Sequence, residues 1–97
     1  MEAAMTVGVL TLDLAIFESH SLKDKRRAVK SVKDRLANRF NVSVAEVDRL
    51  DSRQHAVLGV AMVSNDPVHV HGCLDKIVDY VRADRAVSLI DYEKRTC

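Results

Sequence analysis

The stretch TVGVLTLDLAIF (Thr6–Phe17) constrains the fold most, because it alternates. Leu10, Leu12, Leu14 and Ile16 fall on one face, and Val9, Thr11, Asp13, Ala15 and Phe17 on the other. That is the period-2 pattern of a half-buried strand. The period then changes at once. Ser21 followed by Asp24 matches a capping box, and at ~100° per residue Leu22, Val29, Val32, Leu36 and Phe40 share an arc of about 80°. A strand that hands over to an amphipathic helix must lay that helix back across its sheet.

The remaining elements read in the same way. The first helix spans residues 21–40, and VSVAEVD (42–48) is a second strand. RLDSRQ (49–54) is a polar hairpin loop. HAVLGVAMVS (55–64) is apolar on both faces, which places it centrally in a sheet. Asp66 as N-cap and Pro67 at the first helical position open a second helix over 67–83, with Val70, Leu74, Ile77, Val78 and Val81 on its inner face. AVSLIDYE (86–93) is a fourth strand. The order β-α-β-β-α-β defines an α+β, ferredoxin-like sandwich. A four-stranded antiparallel sheet of order 4-1-3-2 carries both helices on one face. Residues 1–97 are expected to form one domain, with 1–5 a flexible tail. The face without helices is too apolar to stay in water over a large area. Either a loop of the chain folds across it or the chain forms a homodimer, the expected outcome, through that face or through an edge strand.

Composition narrows the setting. No run of 18 apolar residues is present, so no membrane-spanning helix is expected, and the start MEAAMTVGVL lacks the pattern of a signal peptide. With only Cys73 and Cys97, a disulfide framework is not expected and the chain reads as cytoplasmic. Net charge is +1, but it is unevenly spread. Residues 23–39 hold eight basic and two acidic side chains, a local charge of +6; the rest of the chain carries −5. Lys23, Arg26, Arg27, Lys30 and Lys33 fall within about 120° of the helix, with Asp34 the one acid in that arc. Like charges on one face repel, so helix stability does not account for them. A phosphate backbone would, through counterion release. Arg49 and Arg53 in the hairpin loop are a possible second contact. The expected partner is therefore RNA or the ribosome; the alternative is a protein–protein interaction or dimerisation module with no nucleic-acid role. Lys25 differs from its neighbours: it falls inside the apolar arc and is expected to reach the rim and pair with Asp13 or Glu18.

Other chemistries find less support. Base stacking on the sheet, as in RRM domains, needs aromatics on the central strands, and the third strand has none. HVHGC (69–73) places His69 and Cys73 on one helical face with His71 pointing away, two ligands where a structural zinc site takes four. Gly8, Gly59 and Gly72 are isolated, so no phosphate loop is present, and no local signature assembles a catalytic group. The expectation is a binding protein, not an enzyme, without metal, cofactor or small-molecule ligand.

Four blocks, HSLKDKR (20–26), RFNVSVAEVD (39–48), LGVAMVSND (58–66) and IDYE (90–93), resemble the YlxP-like family of small bacterial proteins, a domain of unknown function. The resemblance covers Thr6 to Glu93. It implies a ferredoxin-like fold, carries no catalytic residues to transfer, and points towards RNA or the ribosome through the translation genes among which the family's genes lie. One departure stands out. Where the family often has an exposed Trp in the hairpin, this chain has Arg53, whose guanidinium can still stack on a base or bind phosphate.

Overall fold

A computed structural model describes residues 4–97. Its elements are β1 (Thr6–Ile16), α1 (Leu22–Arg39), β2 (Ser43–Asp48), β3 (His55–Ser64), α2 (Pro67–Arg82) and β4 (Val87–Thr96). The sheet order is β2-β3-β1-β4, with every neighbouring pair antiparallel. This is the expected ferredoxin-like arrangement, with β3 and β1 central. Of the expected N-terminal tail, residues 1–3 lie outside the described residues.

Period 2 decides what β1 buries. Leu10, Leu12 and Leu14 are fully buried beneath the helices, while Val9, Thr11, Asp13 and Ala15 are half-buried on the opposite face. From the helices, Val29, Val32 and Leu36 of α1 and Val70, Leu74, Ile77, Val78 and Val81 of α2 close the core. Helix α2 lies over β1 and β4 and α1 over β2. Gly8 makes the close approach of α2 possible, because a Cβ there would stand 2.5 Å from Val70 Cγ1.

Both helix starts follow from their caps. Ser21 Oγ accepts the Asp24 N–H at 3.0 Å, and the Asp24 carboxylate accepts the His20 N–H at 3.1 Å, one residue earlier than in the usual box. Asp66 Oδ1 accepts the N–H groups of Val68 and His69, and Pro67 has no N–H to leave unpaired.

Strand β4 runs three residues past the expected Glu93. Lys94, Arg95 and Thr96 pair with Leu10, Val9 and Gly8 of β1, and Cys97 exchanges both backbone hydrogen bonds with Val7. An edge strand needs only backbone pairing, so apolar alternation did not mark this stretch. A bulge between Asp13 and Leu14 of β1 leaves Ile90 outside the ladder and exposed.

Candidate nucleic-acid interface

The basic arc of α1 faces away from the core. Lys23, Arg26, Arg27 and Lys30 are exposed and Lys33 is half-buried, whereas Lys25, Val29, Val32 and Leu36 form the buried stripe. Two further cations of the helix point elsewhere. Arg35 pairs with Asp84 at 2.6 Å, beyond the end of α2, and the Arg39 guanidinium lies 5.1 Å above the Tyr80 ring. Within the arc, Lys30 Nζ meets Asp34 at 2.7 Å across one helical turn. That pair is exposed and weak, but it takes part of the Lys30 charge. Among the described residues, Lys23, Arg26, Arg27, Lys33, Arg49 and Arg53 have no carboxylate partner.

The hairpin loop is fixed against the start of α1 by its own backbone. Lys25 Nζ donates to the Arg49 carbonyl at 2.8 Å, and the buried Ser19 hydroxyl donates to the Arg53 carbonyl. Arg49 sits in the left-handed region at φ 58°, where its N–H is taken by Asp48 Oδ1 and its carbonyl also receives the Ser52 N–H. The two loop arginines are thus anchored through their carbonyls and stay exposed at the end of α1 that carries Lys23, Arg26 and Arg27. Ser19, His20, Ser52, Arg53, Gln54 and the acid Asp51 line an open cleft of about 520 Å³ between the loop and the segment that precedes α1.

Lys25 corrects the expectation placed on it. It is fully buried and pairs with Glu46, neither reaching the rim nor meeting Asp13 or Glu18. The reason is the position of α1 over β2, whose helix-facing residues are Val44 and Glu46. Asp13 lies on the other face of the sheet, and Glu18 lies in the exposed turn before the helix. Ser19 and Glu46 were the residues that sequence reasoning missed. The signal that could have found Glu46 is its period-2 position, two residues from Val44 on the helix-facing side of β2.

At the far end of α1, His69 and Cys73 share a cleft of about 520 Å³ with Arg39, Phe40 and Lys76, while His71 stands outside it. Burial pushes the Cys73 thiol up, with Lys76 acting in the opposite sense. Among the described residues no three His, Cys, Asp or Glu side chains converge on a metal position, and no helix is long and apolar enough to cross a membrane.

Fold and surface together define a small ferredoxin-like α+β protein with a basic helix flank. The chain belongs to the family described as "Protein of unknown function (DUF503)", which matches residues 7–94. It is 31% identical over 75 residues to the uncharacterized protein YlxP of Bacillus subtilis (strain 168), covering 77% of this chain and 82% of that one. Among solved structures, the de novo designed protein Foldit4 shares the fold, with a TM-score of 0.55 at 18% identity over 95% of this chain and 96% of that one.

Proposed function

We propose that this protein is a cytoplasmic RNA-binding or ribosome-associated factor that acts by binding, without catalysis. The observation that carries this reading is the set of six cations without carboxylate partners: four from α1 and two from a loop anchored beside it. Such a set suits a phosphate backbone, which contributes affinity without base readout. An enzyme's needs are different: a cleft, a nucleophile and an activating base. Cys73 and His69 do share a cleft, but burial raises the Cys73 thiol and so disfavours its reactive thiolate.

Binding to ribosomal RNA fragments across a salt series tests the reading. Engagement of roughly six phosphates gives a slope of log affinity against log salt of about −4 to −5. Arg26→Ala/Arg27→Ala should flatten it by about 1.5. Absence of RNA binding at low salt, or an unchanged slope in the variant, would reject the function.

A further inference from the structure

We propose that the helix-free face of the sheet is the contact surface for a second copy of this chain. Its columns are Ser43, Ala45 and Val47 from β2; His55, Val57, Gly59, Ala61 and Val63 from β3; Val7, Val9, Thr11, Asp13 and Ala15 from β1; and Asp91, Glu93 and Arg95 from β4. Over β2, β3 and β1 the face is mainly apolar, with Ser43, His55, Thr11 and Asp13 as its polar members. Val9, Ala45, Val47, Gly59 and Ala61 line a shallow depression in it. Val47 and Val63 are 56% and 60% exposed.

Two quantities are in keeping with a partner on this face. The chain exposes 6301 Å², against about 5,500 Å² for a compact monomer of its 10.8 kDa mass. The excess is about the size of one sheet face. Ten-residue strands at roughly 3.4 Å per residue and 4.8 Å apart give about 600 Å² per copy once the shorter β2 is allowed for. Two copies face to face therefore bury roughly 1,200 Å², which reaches the range of stable interfaces. An apolar, small-residue face is complementary to itself, as a twofold contact requires. The acids select against other occupants. Asp13, Asp91 and Glu93 against one Arg95 disfavour a polyanion or an anionic membrane.

Those acids also set the salt dependence. Asp91 and Glu93 lie on the edge strand β4 and Asp13 beside them on central β1, opposite Val57, and they repel their twins in the second copy. Asp13 Oδ1 is shielded from solvent and has no hydrogen-bond partner among the described residues. Added salt screens the repulsion, so the dimer holds or tightens as salt rises, the opposite sign to phosphate binding. Failure of one proposal is therefore distinguishable from failure of the other.

Sedimentation equilibrium from about 1 to 200 µM, a span centred on micromolar affinity, tests the assignment. The wild type should reach twice 10.8 kDa. Val57→Lys and Ala61→Lys should abolish the dimer, with circular dichroism confirming the fold. Ile90→Lys, on the exposed bulge of the β4 edge, should leave it intact. Asp13→Asn should tighten it by about tenfold, a gain that misfolding cannot imitate. A wild-type monomer at the highest concentration, a dimer that survives Val57→Lys or is lost with Ile90→Lys, or weaker association in Asp13→Asn would overturn it.

Discussion

Replacing Lys25 by methionine keeps most of the side-chain volume and removes one charge from a fully buried position. Glu46, whose side chain is 14% exposed, then loses its ion-pair partner, and the Arg49 carbonyl keeps only the Ser52 N–H. Removing one partner of a buried pair costs about 3–5 kcal/mol, mostly the price of leaving the other charge stranded. A domain of this size has about 5–15 kcal/mol in total. The midpoint of thermal unfolding should therefore fall by about 15 °C or more. Replacing both partners behaves differently, because no charge is left behind. Lys25→Met/Glu46→Leu should lie within about 1 kcal/mol of wild type or above it. Urea unfolding of the four proteins in the cycle, with m unchanged, gives the coupling directly. Should Lys25→Met cost under about 1 kcal/mol, or the double variant lose the sum of the two single losses, the inward pair does not hold the hairpin to the helix.

Glycine substitutions should diverge sharply. Gly8→Ala forces a Cβ to within 2.5 Å of Val70 Cγ1, an overpacking cost of about 1–3 kcal/mol. Gly72→Ala, inside α2 with nothing within 4 Å of the new Cβ, should gain about 0.5–1 kcal/mol, and chemical denaturation reads both. Thiol labelling should be biphasic, with exposed Cys97 fast and half-buried Cys73 slow. Only the thiolate reacts; because the Cys73 thiol is raised, its rate should still climb above pH 9.0, the ordinary value. Loss of the slow phase, instead of the fast one, in Cys97→Ser would contradict this assignment.

The frame was legible because local signals agreed with one another. Alternation in β1, the Ser21 and Asp66 caps and the inner faces of both helices each pointed to the same elements, and the four-strand order followed from them. What escaped the sequence depended on how elements cross. Lys25 read as inward-facing from its angle alone, but its partner depended on which strand α1 overlies, and that is a tertiary fact. The i,i+4 spacing of Lys30 and Asp34 was visible, yet the pair forms and lowers the free charge of the arc below a simple count. The end of β4 left no trace, since Lys94 and Arg95 pair by backbone. Of the interface, the helix cations were readable from spacing; the anchoring of Arg49 and Arg53 was not, because the anchors bind their carbonyls instead of their side chains.

That anchoring bears on the thermodynamics of recognition. A loop that orders only on meeting its ligand surrenders its conformational freedom at that moment, and affinity falls accordingly. Here Ser19 and Lys25 hold the carbonyls of Arg53 and Arg49 in the free protein, so the backbone entropy of the loop is lost during folding and not during association. Binding should then lack the large negative heat-capacity change of coupled folding. Only the arginine side chains beyond Cβ remain to be immobilised.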